Sequence, residues 1–128
     1  MPVLSAYLVF TALLLGSFLN LAVDRLPKGE SIIRPRSHCR GCGRMLNTID
    51  LLPVAGYLVR RGRCATCRVS IGISSPVIEA ACGITVLASI LWMGLWPGAL
   101  IGFALVAALG ATVVGAALRR PRRSGVNL

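Results

Sequence analysis

Three stretches of the chain are apolar almost without interruption, and the long stretch between the first two is not. The apolar runs occupy residues 1–23, 77–96 and 98–118. Each holds roughly 20 residues, the length an α-helix rising about 1.5 Å per residue needs to cross a hydrocarbon core of about 30 Å. Residues 24–76 are polar, basic and rich in Pro, Gly and Cys. Pro27, Pro35 and Pro53, with Gly29, Gly41, Gly43 and Gly62, punctuate this segment so often that no helical period persists. The pattern predicts an α-helical membrane protein: about three transmembrane helices, with a small module of turns and short strand-like pieces between the first and second. Within that module residues 51–59, LLPVAGYLV, are apolar but too short to span. They would be sheltered either by lipid headgroups or by packing on the module. Pro97 and Gly98 are expected to form the turn between the last two spans, with Trp92 and Trp96 as interfacial aromatics at that end.

Charge gives the spans an orientation. Of 128 residues only 14% are charged and 55% are hydrophobic, and mean hydropathy is +0.77. A soluble domain carries roughly 25% charged residues. The net charge of +10 comes from 14 Lys+Arg against 4 Asp+Glu. Every basic residue lies either between Arg25 and Arg68 or in the tail at Arg119, Arg120, Arg122 and Arg123. Basic residues that flank apolar spans mark the cytoplasmic side. The expected topology in a bacterial inner membrane therefore has the N-terminus outside, with the Cys-rich loop and the basic tail, residues 119–128, in the cytoplasm. The first run lacks the leading positive charge of a signal peptide and is expected to be a retained anchor. Nucleic-acid binding is not expected, because the loop offers one aromatic, Tyr57, and no stacking platform.

Isolated polar or small residues within the spans have plain packing roles. Ser17 and Asn20 should hydrogen-bond to a neighbouring helix, Cys82 should be a small packing residue, and the Gly98–Gly102 step permits close helix approach.

The chemistry is concentrated in the loop. Cys39-Arg-Gly-Cys42 and Cys64-Ala-Thr-Cys67 are two C-x-x-C pairs separated by 21 residues. Each pair places two thiolates on one side of a tight turn, and together they supply the four soft ligands of a tetrahedral, structural Zn2+ site. Flexible Gly41 and Gly43 leave amides free to approach the sulfurs, and Arg40, Arg44, Arg63 and Arg68 favour thiolates. A disulfide pair fits poorly with a reducing cytoplasm, and an iron–sulfur cluster is less common for two such knuckles. His38, beside Cys39, is a candidate substitute ligand. A metal here would fold a segment with too little core of its own.

Several motifs then join in one order: G-S-F-L-N from Gly16, R-L-P from Arg25, P-R-S-H-C-R-G-C from Pro35, G-R-C-A-T-C from Gly62 and P-V-I-E from Pro76. This string resembles the N-terminal part of bacterial prepilin peptidases, the leader peptidases of type IV pili and type II secretion, over residues 16–83. The resemblance implies a polytopic inner-membrane enzyme with two activities, an aspartic peptidase for prepilin leaders and an S-adenosylmethionine-dependent N-methyltransferase. It also implies that the four-cysteine region is associated with methylation and stability. It carries over Cys39, Cys42, Cys64 and Cys67 as the metal site. Gly16, Asn20, Arg25, Pro27, Asp50, Pro53 and Glu79 match motif positions with functional or structural roles. Asp50-Leu51 stands where the family usually has Asp-Asn, and Ser74-Ser75-Pro76 where it has Arg-Tyr-Pro. The family's G-x-G-D motif does not occur, and no aspartate follows Asp50.

The four carboxylates, Asp24, Glu30, Asp50 and Glu79, must share any acid–base work. Asp24 and Glu79 could approach at the cytoplasmic ends of two spans, but Glu79 is expected to pair with Arg25 or Arg34 and pin the loop to the helices. No residue is assigned as catalytic. The chain is thus expected to be a prepilin-peptidase N-terminal module acting with a separately encoded peptidase half, or a non-catalytic zinc-stabilised scaffold. No G-x-G-x-x-G follows a strand, so S-adenosylmethionine rests on the resemblance alone.

Overall fold

The computed structural model describes residues 1–34 and 36–120. Residues 121–128, which hold most of the expected basic tail, and Pro35 lie outside the described residues. The elements in chain order are α1 (Pro2–Arg25), a 3-10 turn (Leu26–Lys28), α2 (Thr48–Leu51), α3 (Ala55–Val59), α4 (Ser74–Met93) and α5 (Leu95–Arg119). Three of them, α1, α4 and α5, are long and apolar enough to cross a membrane. Among the described residues strand pairing is limited to two isolated bridges, His38 with Met45 and Arg63 with Ser70.

The long helices pack as a bundle with α4 in the middle, touching both α1 and α5. Its core is small-residue packing: Ala12 of α1, Cys82, Val86 and Ile90 of α4, and Ala99 and Val106 of α5. Without a hydrophobic driving force between helices in lipid, close backbone approach has to supply the attraction. Gly102 supplies it between α4 and α5, since a β-carbon there would lie 2.9 Å from Val86 Cα. Gly16 does the same between α1 and α4, where a β-carbon would lie 2.7 Å from Glu79 Cα. Cys82 is fully buried, as expected of a packing residue. Ser17 and Asn20 differ from expectation: neither side chain makes a hydrogen bond among the described residues. Both sit only partly buried.

The turn between the last two helices is also placed differently. It falls at Gly94, which takes φ +88, and α5 already begins at Leu95. Pro97 is then in the first turn of α5, where its missing N–H has no intrahelical partner to lose. Gly98 closes that turn by donating to the Gly94 carbonyl at 3.0 Å. Trp92 and Trp96 flank the turn, both largely exposed.

Residues 51–59 form neither a strand nor a plug on the cysteines. They make the end of α2, a bend and α3, with Pro53 and Gly56 turned inward. Leu58 and Val59 are 66% and 63% exposed, so the apolar face of α3 points away from the module.

Candidate metal centre

The two C-x-x-C segments fold into the same local structure, 25 residues apart. In the first, Cys39 N–H donates to Arg44 carbonyl (2.8 Å) and Gly43 N–H returns to Cys39 carbonyl (2.9 Å). In the second, Cys64 N–H donates to Val69 carbonyl (3.0 Å) and Arg68 N–H returns to Cys64 carbonyl (3.2 Å). The flanking bridges, His38 with Met45 and Arg63 with Ser70, sit at equivalent positions. Each hairpin needs one residue with positive φ after its second cysteine. Gly43 takes φ +72 there, and Arg68 takes φ +60 at the matching place. A non-glycine residue held in that region costs of order 1–3 kcal/mol, which a bound metal can offset.

The hairpins face each other and bring their sulfurs together. Cys39 Sγ lies 3.6 Å from Cys67 Sγ, and Cys42 Sγ lies 3.9 Å from Cys64 Sγ. All four sulfurs lie within 4.8 Å of one another. A disulfide needs about 2.05 Å, and all five cysteines are free. Four ligands about 2.3 Å from a tetrahedral zinc would be spaced by about 3.8 Å, close to the Cys39–Cys67 and Cys42–Cys64 separations. Cys39 and Cys64 are buried, whereas Cys42 and Cys67 are exposed. His38 is not in the group; its Nδ1 is 3.0 Å from the Arg36 carbonyl. Gly41 packs closely on the cluster: a β-carbon there would lie 3.0 Å from Cys67 Sγ, which would have to shift by a few tenths of an ångström.

The electrostatics suit a cation. Amides of Cys42 and Gly41 turn towards Cys39 and lower its thiol pKa, the Gly41 N–H lying 3.3 Å from the sulfur. The equivalent amides, Cys67 and Thr66, lower Cys64 to about 6. Cys67 goes the other way, to about 11: its Val69 amide favours the thiolate, but lost hydration and the three neighbouring sulfurs outweigh it. Four clustered sulfurs cannot all ionise against one another unless positive charge is placed among them.

Asp50 ties the first hairpin to the end of α3, which leads into the second hairpin. Its carboxylate accepts from Arg44 (2.9 Å), from Arg60 Nε (2.6 Å) and from the Asn47 N–H at the start of α2 (3.0 Å). Burial alone would raise the Asp50 pKa, but the Asn47 amide and the two guanidiniums more than reverse it, so it lies below the ordinary carboxylate range. Arg44, whose pKa is raised first by Asp50 and then by Cys64, links this clamp to the sulfur cluster. Arg44, one of the arginines expected to favour thiolates, interacts with Cys64. Arg40 instead pairs with Asp24 beside Lys28. The role of Arg60 had no sequence signature, although N-x-x-D at Asn47–Asp50 is a helix-start pattern that could have placed Asp50.

Glu79 is buried in the first turns of α4 and pins the loop through a backbone amide and a hydroxyl, not through the expected ion pair with Arg25 or Arg34. One oxygen accepts the Val54 N–H at 2.6 Å and the other the Ser75 hydroxyl at 2.9 Å. Val54 is itself held at φ +55 between α2 and α3. Arg25, buried at the end of α1, donates to the Ser31 carbonyl at 3.0 Å. Asp24, Asp50 and Glu79 therefore each have separate partners, and the structure does not bring Asp24 and Glu79 together as a pair sharing a proton. Asn20 lies a little over a turn before Arg25 on α1, apart from the sulfurs.

The family model for the bacterial peptidase A24 N-terminal domain matches residues 10–93, which contain α1 from Phe10, both hairpins and all of α4. The chain belongs to this family. This A24 N-terminal domain is 37% identical over 83 residues to a prepilin leader peptidase/N-methyltransferase of Myxococcus xanthus, covering 65% of this chain and 25% of that protein. It is 33% identical over 129 positions to one from Burkholderia pseudomallei, covering 81% and 42%. A Bacillus subtilis protein of the same name is 40% identical over 76 residues, covering 59% and 30%. The A24 N-terminal domain chain thus spans less than half the length of these curated relatives. No solved structure matches it.

Proposed function

We propose that this chain is the N-terminal module of a prepilin-processing membrane enzyme, in which a Zn2+ ion held by Cys39, Cys42, Cys64 and Cys67 fixes the loop against the membrane helices. The observation that carries the reading is the cluster of four sulfurs within 4.8 Å of one another inside the region that matches the family. A zinc ion with four protein thiolates has no open coordination position, so its contribution is to folding. Asp50, Arg44 and Arg60 orient the hairpins around it, and Glu79 fastens the α2–α3 bend to α4. In this reading the loop and the tail face the cytoplasm of the bacterial inner membrane, and prepilins are the substrates.

Leader cleavage is assigned to a separate aspartic peptidase half. The carboxylates of Asp24 and Asp50 are held by arginines, and that of Glu79 by a backbone amide and a hydroxyl. S-adenosylmethionine supplies a methyl group where the relatives' names place an N-methyltransferase. The cavity beside α1, about 220 Å³ and lined by two arginines without a carboxylate, is smaller than pockets for ligands of that size. Its two arginines and its size do not fit the cationic donor. Any methylation would use a donor site completed by the remainder of the enzyme.

The test is co-expression with a polytopic aspartic prepilin peptidase half and a prepilin. Co-purification of the two membrane chains and a mature pilin methylated at its new N-terminus are expected, with one zinc per module. Absence of association would overturn the partnership. Leu51 and the Ser74-Ser75 pair, where the family usually has other residues, favour a second reading as a non-catalytic scaffold. That reading predicts association with unchanged pilin methylation when the cysteines are replaced.

A further inference from the structure

The short helix α3 is fastened to the start of α4 at both of its ends. Before it, the Val54 N–H donates to Glu79 Oε2 at 2.6 Å, and the Ser75 hydroxyl reaches the other Glu79 oxygen, so this carboxylate lies level with the first turn of α4. After it, the Ile71 N–H donates to the Gly62 carbonyl at 2.7 Å, and Ser74, three residues further on, opens α4. Three residues reach at most about 11 Å. With 20 residues α4 is about 30 Å long, the thickness of a hydrocarbon core, so its first turn lies at one edge of that core. The helix α3 is therefore held at the level of a membrane surface. Its two sides differ. Gly56, where a β-carbon would lie 2.7 Å from the Ile49 carbonyl oxygen, and Arg60, which donates to Asp50, face α2. Leu58 and Val59 stand on the other side, 66% and 63% exposed. Ile73, just before α4, is 65% exposed and one turn ahead of the exposed Val77; Ile84 and Leu91 continue that apolar stripe along the span. Arg61 and Arg63 follow α3, exposed and without an ion pair among the described residues. Asp24 and Asp50 are paired with other basic residues, Glu79 accepts from Val54 and Ser75, and Glu30 pairs with neither arginine.

Exposed apolar side chains followed by unpaired arginines, at the level where a span begins, have the make-up of a segment that lies in the bilayer surface. Water would leave Leu58 and Val59 uncovered. The boundary between headgroups and acyl chains covers them and sets phosphates beside the guanidiniums. We propose that α3 is an interfacial segment. Leu58 and Val59 enter the surface of the leaflet in which α4 begins, and Arg61 and Arg63 lie against the phosphates of anionic phospholipids. The lipid-facing stripe of α4, carried up to Ile73, continues into this surface. The metal module is then seated on the bilayer, and its position is set by α3 as well as by its chain connections to α1 and α4.

The test uses the full chain with its metal in vesicles of phosphatidylglycerol and phosphatidylcholine. Trp92→Phe and Trp96→Phe, both at exposed positions, remove the native fluorescence, and Leu58→Trp then reports its own surroundings. Its emission should shift to the blue. Phospholipid brominated near the headgroup end of the acyl chain should quench it strongly, bromine at the chain terminus less, and aqueous acrylamide little. Adding Arg61→Gln and Arg63→Gln should raise acrylamide quenching in these vesicles and leave it unchanged in phosphatidylcholine alone. One zinc per chain reports a folded module in each variant. Red-shifted emission open to acrylamide would overturn the proposal. Emission shielded from both acrylamide and bromine would overturn it too, because the cover would then be protein. Equal acrylamide quenching with and without the arginines would overturn their contact with anionic phosphates.

Discussion

Replacing Asp50 with alanine tests whether the clamp between the hairpins holds the metal centre. The Asp50 side chain is 6% exposed and receives three donors, while Arg44 and Arg60 retain 23% and 26% exposure. Hydrogen bonds to a charged group contribute about 1.5–3 kcal/mol each, and these three share one carboxylate, so their sum is an overestimate. Removing one partner of a buried pair costs about 3–5 kcal/mol, and the partial exposure of both arginines reduces this to roughly 2–4 kcal/mol. Metal binding in such a module is coupled to folding, so the loss should appear in apparent zinc affinity. At about 1.4 kcal/mol per decade it corresponds to a factor of roughly 30 to 1,000. Competition between the purified protein in detergent and a chromogenic zinc chelator measures it directly. Asp50→Asn, which keeps the shape and one acceptor oxygen, should fall between wild type and alanine. An alanine variant that holds zinc as tightly as wild type would refute the clamp.

Other consequences can be checked separately. The Asp50 pKa is lowered in the folded chain, so its stabilising effect is complete above the unfolded value near 4 and is lost as pH falls through the lower folded value. The difference in urea midpoint between wild type and Asp50→Asn should therefore stay constant from about pH 8 to 5 and close below about pH 4. Glu79→Ala should remove the acceptor of the Val54 amide and speed hydrogen exchange at that amide by about ten-fold or more, whereas Glu79→Gln should retain most of the protection. Gly102→Leu should force α5 from α4 and lower bundle stability by about 1–3 kcal/mol in a thermal melt, while Gly115→Ala, which meets nothing within 4 Å, should be neutral. Cys39→Ser should lower bound zinc well below one ion per chain by elemental analysis.

The long helices and the sulfur cluster were legible because each follows a rule that depends on local order. Twenty apolar residues leave no choice but a helix in lipid, and C-x-x-C spacing encodes a knuckle within four residues. What was not legible depends on contacts between distant residues. Nothing in the spacing of Asp50 and Arg60 says that they meet, or that Glu79 would reach a backbone amide 25 residues before it. The Pro97–Gly98 pair suggested a turn because both residues break helices in isolation. The chain turns at Gly94 because proline is welcome at a helix start. The fate of residues 51–59 turned on a bend at Val54, a β-branched residue in a conformation that sequence statistics assign to glycine.

The matched hairpins behave as two identical jaws, and a vise needs only its jaws to be alike. The outward surface between them can change its chemistry while the grip is unaltered, provided the Asp50 clamp and the Val54–Glu79 tie are kept. Here that freedom falls on the exposed Leu58 and Val59 of α3, and not on Asp50, Val54 or Arg60, which hold the module together. A lineage could therefore refit this outward face for a new neighbour without rebuilding the ion-holding part, so divergence among relatives should gather there rather than at the cysteines or at Asp50.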